Sequence, residues 1–84
     1  MPSLALSDLP NGALGTVSRV VPASALADAQ MLRRLEELGF LPGEPVRLLR
    51  RGPGGREPLA VQIGDTLFAL RKVEAQCVQV EVAS

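Results

Sequence analysis

Glycine and proline recur along this chain so often that its regular elements must be short. Eight glycines and seven prolines are distributed over 84 residues, several of them in dipeptides such as Asn11-Gly12, Pro42-Gly43 and Gly64-Asp65. These dipeptides favour tight turns, because Pro presets φ and Gly accepts positive φ. Short elements in a chain too small for two packed sheets predict one strongly bent barrel, a single domain over residues 1–84.

Five segments have the composition of short strands. They cover residues 13–21, 44–51, 59–63, 66–71 and 78–82. Each is rich in β-branched or alternating apolar residues, as expected for a strand with one face in the core. Pro58 marks the start of the third strand. The sequence therefore predicts a mainly β fold of about five strands, which closes to leave few exposed edges.

Residues 25–38 have the composition of an α-helix, since they contain no Gly, Pro or β-branched residue. Apolar residues recur there at helical spacing, at Met31, Leu32, Leu35 and Leu38. Ser24 is the predicted N-cap, and Asp28 adds negative charge near the positive end of the helix dipole. Gly39 is the predicted left-handed residue that ends the helix, which lets Phe40 contact Leu35 in a Schellman arrangement.

The composition weighs against several functional classes. Nine Lys and Arg balance nine Asp and Glu, so no net charge attracts a polyanion. The aromatic residues are Phe40 and Phe68 alone, too few to stack nucleic-acid bases. Because no His is present, acid–base catalysis lacks its usual group, and a four-ligand Cys/His zinc site cannot form within one chain. These observations predict a protein that is not an enzyme and needs no cofactor.

Two further features bear on metal and redox chemistry. The single cysteine, Cys77, alternates with core valines, which predicts a solvent-accessible strand residue that could join two chains under oxidising conditions. The carboxylates Asp8, Asp28, Glu57 and Asp65 do not converge in the sequence pattern. No metal site is therefore predicted, and capture of a divalent ion between chains is the alternative.

The amino terminus carries no basic segment, and no apolar run approaches the roughly 18 residues of a membrane span. The sequence contains neither of the patterns typical of an export signal or a membrane anchor. A cytoplasmic location without membrane insertion is therefore expected.

Four arginines cluster on the second strand and the hairpin that follows it, at Arg47, Arg50, Arg51 and Arg56. They form either a basic patch for an acidic partner or phosphate, or a solvated edge that discourages strand pairing. The glycine-rich residues 52–55 lack the Gly-Lys-Ser/Thr and the following helix of a phosphate loop, so they are interpreted as a hairpin tip.

Several separated motifs resemble those of the FeoA family, the small cytoplasmic partners of the bacterial ferrous-iron permease FeoB. The most specific combination is Arg-Leu-x-x-Leu-Gly-x-x-Pro-Gly at residues 34–43, followed by Leu-Arg-x-x-Glu-Ala at residues 70–75. Further matches lie at residues 6–12 and 58–61 and at Val78 and Val80, so the resemblance spans nearly the whole chain. The family pattern often has Gly-Asp-Pro before the third strand, whereas this chain has Gly-Arg-Glu-Pro at residues 55–58.

The resemblance implies an SH3-like β-barrel with a helical insertion, a role in iron(II) uptake, and association with the permease or its cytoplasmic GTPase domain. Activation of GTP hydrolysis, scaffolding and gating all remain open, and weak self-association is compatible with the sequence. The alternatives are a nucleic-acid or ribosome-associated small barrel and a metal-regulated domain like the carboxy-terminal barrel of iron-dependent repressors.

The hypothesis for the contact surface combines the end of the helix, its turn and the Arg-rich hairpin. A glycine-capped turn presents its backbone rigidly, and arginines can meet an acidic partner. The predicted partner-binding residues are Leu38, Gly39, Phe40, Leu41, Pro42, Gly43, Arg47, Arg50 and Arg51.

Overall fold

A single antiparallel sheet of six strands dominates the computed structural model, which describes residues 3–82. The elements are β1 (Ser3–Ala5), β2 (Leu14–Val20), α1 (Ala29–Leu38), β3 (Pro45–Gly52), β4 (Arg56–Ile63), β5 (Thr66–Leu70), α2 (Lys72–Ala75) and β6 (Val78–Glu81), with 3-10 turns at Leu6–Asp8 and Pro53–Gly55. The strand order is β1-β6-β2-β3-β4-β5. The predicted mainly β class with one inserted helix is confirmed.

Two strand predictions need correction. The prediction of about five strands omits β1, whose three residues are too few to show a two-residue period, yet Leu4 pairs with Val80 of β6. In addition, β4 begins at Arg56 instead of Pro58. The β3–β4 pairing shifts register between Arg51 and Gly52, and this irregularity accommodates a proline inside the strand.

The predicted helix start at Ser24 is wrong by several residues. The helix α1 begins at Ala29, because Asp28 has an extended backbone and its Oδ1 accepts a hydrogen bond from the Met31 N–H at 2.8 Å. Ser24 caps a separate turn, in which its Oγ accepts from the Leu26 N–H at 3.2 Å. Asp28 is therefore the N-cap itself and not merely a charge inside the first turn.

The predicted end of the helix is confirmed in detail. Gly39 has φ of 113°, and the Phe40 N–H donates to the Leu35 carbonyl at 3.1 Å, which is the long hydrogen bond of a Schellman motif. The next turn also has the predicted form, since Gly43 has φ of 91° and the Glu44 N–H donates to the Leu41 carbonyl at 3.1 Å.

The core lies inside the curved sheet and is closed at one end by α1. Phe40 is fully buried, and its ring lies 6.1 Å from that of Phe68. Leu35 of α1 is also buried in this core. The other apolar residues of the helix stripe are partly exposed and pack against the core, namely Met31, Leu32 and Leu38. Alternate residues of the strands complete the core, as predicted for Leu59, Val61, Ile63, Val78 and Val80. In the described residues, no helix combines the length and apolarity needed to cross a bilayer.

Candidate partner-binding surface

The arginines of β3 divide between two sides of the sheet because the strand contains a bulge. Leu48 pairs with Val61 and Arg50 pairs with Ala60, so Leu49 is an extra residue in β3. The extra residue shifts the alternation, and Arg50 points outward beside Ala60. Arg51 then lies opposite the buried Leu59 and points toward the end of the barrel.

Arg51 fastens the loop before β2 to the end of β3. Its Nη1 donates to Asn11 Oδ1 at 2.7 Å, and its Nη2 donates to the carbonyls of Ser7 and Leu9 at 2.5 and 3.0 Å. The side chain is half-buried, so these charge-assisted hydrogen bonds replace those that the guanidinium loses from water. Arg51 belongs to the predicted partner-binding set, but the structure gives it an architectural role.

Seven outward side chains of β2 to β5, in two adjacent rows, form a surface that we call the outer face. Strand pairing places Leu14, Arg47, Gln62 and Leu67 side by side in one row, and Arg50, Ala60 and Ala69 in the next. Leu14 is 51% exposed and Leu67 is 65% exposed. The rows contain two arginines and no carboxylate, which favours a partner with both acidic and apolar groups.

The turn after α1 supplies a second exposed group. Leu41 is 44% exposed, and Pro42 and Gly43 are also exposed. Phe40, in contrast, is fully buried, and Leu38 is half-buried against the core. The structure therefore leaves residues 41–43 available for contact and places Phe40 in the interior, because the Schellman turn directs its ring inward.

The two halves of the predicted contact surface lie at opposite ends of β3. The turn precedes Pro45, and Arg50 is five residues farther along the strand, roughly 17 Å at the rise of a β-strand. Arg47 lies between them, and its Nη1 donates to the Gly12 carbonyl at 2.9 Å. The structure thus places Arg47 and Arg50 near Leu14 and Leu67, which the sequence prediction did not include. It also separates Arg50 from the turn at residues 41–43.

One sequence signal could have revealed Leu67. The alternation of Leu59, Val61 and Ile63 directs Gln62 outward, and a two-residue turn at residues 64–65 fixes Leu67 opposite Gln62. Leu14 has no comparable signal. It pairs with Arg47 of β3, and because no short turn joins β2 to β3, the sequence does not fix the register of these two strands.

A groove lies between the β3–β4 hairpin and α2. Its volume is about 590 Å³, and it is lined by Ser7, Asp8, Arg51, Arg56, Glu57, Leu59 and Lys72. Its charges have both signs, and two of its charged groups are already engaged within the chain. Arg51 holds the loop before β2, and Glu57 Oε1 accepts from the Lys72 N–H at 2.6 Å. The lining therefore indicates no single ligand chemistry.

The buried carboxylate of Glu74 is structural. Its Oε1 accepts a hydrogen bond from the Arg71 N–H at 2.8 Å, and its Oε2 lies 3.9 Å from Arg34 Nη1. Two of the four scattered carboxylates, Asp28 and Glu57, also accept hydrogen bonds from backbone N–H groups. Among residues 3–82, no three His, Cys, Asp or Glu side chains are close enough together to hold a metal ion.

Cys77 does not have the predicted exposure. It is fully buried, and its Sγ donates to the Val73 carbonyl at 3.4 Å. The residue lies in the turn between α2 and β6, so the strand alternation that predicted exposure does not apply to it. A buried thiol of this kind cannot readily join two folded chains.

The comparisons with known proteins agree on the family and the fold. A family model described as the FeoA domain matches residues 4–82. Stenotrophomonas maltophilia FeoA in complex with zinc, described as a prokaryotic SH3 domain protein and a candidate ferrous iron transport activating factor, is 50% identical with a TM-score of 0.78. The match covers 90% of this chain and 87% of that chain. Among curated proteins, none matches.

Two further structures extend the comparison. FeoA from Chlorobium tepidum is 30% identical over 96% of this chain and 71% of its own, with a TM-score of 0.80. A manganese-dependent transcriptional repressor is 28% identical over 98% of this chain and 42% of its own, with a TM-score of 0.78. The SH3 description and these similarities confirm the predicted SH3-like barrel.

Proposed function

The chain belongs to the FeoA family, as its motifs predicted, and from this premise we propose that it supports ferrous iron uptake by docking on the FeoB permease. The proposed docking site is the cytoplasmic GTPase domain of the permease. Docking there requires this chain to be in the cytoplasm and brings it to the inner membrane. The observation that carries the proposal is the outer face, where Arg47 lies in a row between two exposed leucines and Arg50 lies in the adjacent row.

The outer face has the composition of a protein-binding surface. Exposed leucines at both ends of a row supply apolar area, and Arg is enriched in the centres of protein interfaces. The Arg50 guanidinium donates no hydrogen bond within residues 3–82, and the Arg47 guanidinium donates one, so both keep donors for a partner carboxylate. We propose that an acidic segment of the permease lies across the rows, with its apolar residues over Leu14 and Leu67.

The turn at residues 41–43 is a second proposed contact. It lies beyond the start of β3, so a partner that follows β3 from Arg50 past Arg47 reaches Leu41 at the far end. The helix cap holds this turn rigidly, which lowers the entropy lost on binding. Leu38, Phe40 and Arg51 act indirectly, by holding the surface in place.

The residue inventory favours docking over transport of iron by this chain itself. Transition metals in proteins are held mainly by His, Cys and converging carboxylates. This sequence has no His, and its one cysteine is fully buried. We therefore propose a non-enzymatic accessory role, in which the chain acts on the permease and not on the metal.

The proposal is tested by measuring binding to the isolated cytoplasmic domain of the permease by calorimetry. The double variant Arg47→Glu/Arg50→Glu is expected to weaken binding by about tenfold or more, because it replaces attraction with like-charge repulsion. The matched control is Arg33→Glu/Lys72→Glu, which changes the net charge equally at exposed positions of α1 and α2, outside the outer face. Equal binding by the two double variants would remove the outer face from the proposal.

Leu41→Glu tests the second contact separately. It is expected to weaken binding less than the double variant does, because one exposed side chain is changed at the edge of the surface. Wild-type affinity in this variant would restrict the contact to the outer face. A GTPase assay with and without this chain then distinguishes activation from scaffolding or gating, since only activation raises the hydrolysis rate.

The similarity to manganese-dependent repressors gives some support to a second function, that of a metal-regulated domain. Titration of the folded chain with iron(II) and manganese(II) separates the two. Saturable binding together with a change in the affinity for the permease would favour regulation by metal. Salt-dependent binding to RNA would instead favour the nucleic-acid alternative.

A further inference from the structure

The strand β5 has one free edge in the described part of the chain. It pairs with β4 on one side only, and it is the last strand in the sheet order. Ile63 and Thr66 flank the two-residue turn, so Thr66, Phe68 and Leu70 exchange hydrogen bonds with β4. The backbone N–H and C=O groups of Leu67 and Ala69 therefore point away from the sheet.

This edge lacks the features by which proteins usually prevent strand addition. Charged residues, prolines and bulges serve that purpose in most edge strands. The strand reads Thr-Leu-Phe-Ala-Leu, and its register with β4 is continuous. Leu67 and Ala69 are both exposed. The edge thus presents aligned backbone donors and acceptors together with apolar side chains.

We infer that β5 pairs in antiparallel fashion with β5 of a second copy of this chain, with Phe68 on the two-fold axis. In this register Leu67 lies opposite the partner's Ala69, and each of these residues donates and accepts one hydrogen bond across the interface. The two Phe68 residues form the central pair without hydrogen bonds to each other. The side chain of Phe68 is half-buried, so pairing covers its remaining surface.

The charges that flank the strand select this register. With Phe68 on the axis, Asp65 lies opposite the partner's Arg71, and the symmetry repeats the pair. Moving the axis by one residue keeps the backbone parity but places Asp65 opposite the partner's Ala69 or the partner's Val73, so the ion pairs are lost. Opposite charges at directly paired positions stabilise antiparallel strands.

Both charged groups are available for this pairing. Asp65 is exposed and forms no ion pair within residues 3–82. The side chain of Arg71 is 63% exposed, with its Nε 3.7 Å from Glu74 Oε1. The contact with Glu74 orients the guanidinium without removing it from solvent. A second copy is therefore complementary to this edge in backbone and in charge.

The dimer is expected to be weak and reversible. A five-residue strand covers much less than the roughly 1,200 Å² at which stable interfaces begin. Dimerisation leaves Leu14, Arg47 and Arg50 of the outer face open. The inference goes beyond the proposed function and is tested on this chain alone, so a failure of the permease experiments leaves its test intact.

Charge reversal at the two positions provides the experiment. Asp65→Arg makes both cross-strand pairs positive, and Arg71→Asp makes both negative, so each variant alone is expected to dimerise about tenfold or more weakly than the wild type. In a mixed dimer both cross-strand pairs again join opposite charges, one in the original positions and one in exchanged positions, so the mixture is expected to regain dimers. Sedimentation equilibrium between about 10 µM and 1 mM measures all of these species.

The matched control is a mixture of Glu37→Arg and Arg33→Asp, which carry the same changes of net charge on exposed positions of α1. These variants are expected to dimerise as the wild type does, alone or mixed. Concentration-dependent amide shifts in NMR spectra should centre on Leu67 and Ala69 in the wild type. A monomer throughout the concentration range, shifts centred elsewhere, or no recovery in the mixture of Asp65→Arg and Arg71→Asp would overturn the inference.

Discussion

Two neighbouring arginines of β3, Arg50 and Arg51, show how differently the two sides of the strand are used. The Arg50 side chain points outward, and no group within residues 3–82 accepts a hydrogen bond from its guanidinium. The Arg51 side chain is half-buried and donates hydrogen bonds to three oxygen atoms of the loop before β2. Phe40 and Leu41 divide in the same way, since Phe40 is fully buried and Leu41 is 44% exposed. In each pair, therefore, one residue stabilises the fold, and its neighbour of similar chemistry is exposed on the surface.

The largest difference is expected between the two apolar neighbours. Phe40→Ala should lower the free energy of unfolding by about 3–5 kcal/mol, because it leaves a cavity beside Phe68 in a closed core. Leu41→Ala should change it by about 0.5 kcal/mol at most. Urea unfolding followed by far-UV circular dichroism measures both, since the chain has no Trp or Tyr for fluorescence. Similar losses in the two variants would contradict the division.

The arginine pair provides the next largest difference. Arg51→Met keeps the apolar stem but removes the hydrogen bonds to Ser7, Leu9 and Asn11, so it should cost about 2 kcal/mol. Arg50→Met should cost about 0.5 kcal/mol at most. The same urea unfolding experiment applies, and amide exchange in residues 7–11 should accelerate only in the Arg51 variant. Equal stability of the two variants would show that the loop is held by its backbone alone.

The two candidate helix caps give a smaller difference. Asp28→Ala should cost about 1 kcal/mol, because the Met31 N–H loses its acceptor. Ser24→Ala should cost a few tenths of a kcal/mol, because its side chain serves only an exposed turn. Thermal unfolding of both variants, with the wild type as control, shows which substitution lowers the stability more. The reverse order would place the helix start where the sequence predicted it.

These pairs also show which parts of the structure were predictable from sequence. The Gly39 cap and the turn at Pro42-Gly43 were predictable because each depends on a local backbone conformation that few residues adopt. The helix start was not, since Ser24 and Asp28 are both good caps and the choice depends on where α1 must begin to cover the core.

The candidate surface was harder to predict than the fold, because it depends on one bulge. Regular alternation in β3 would place Arg51 on the same side as Arg47 and would turn Arg50 inward. The extra residue, Leu49, reverses this assignment. A bulge depends on how β3 meets β4, so composition and spacing could identify the arginine cluster but not which of its members face a partner. The exposure of Cys77 was predicted wrongly for a related reason. The helix α2 ends at Ala75 and β6 begins only at Val78, so Cys77 does not belong to the alternating strand.

The smallest expected difference is that between Arg47 and Arg50. Arg47 points outward like Arg50 but donates one exposed hydrogen bond, to the Gly12 carbonyl at 2.9 Å. Because water can replace an exposed partner, Arg47→Met should cost about 0.5 kcal/mol, more than Arg50→Met and much less than Arg51→Met. Urea unfolding of the two single variants measures this difference. Additive losses in the double variant would show in addition that the two side chains act independently. A loss as large as that of Arg51→Met would mean that Arg47 is also an architectural residue, and the outer face would then present Arg50 as its one free cation among the described residues.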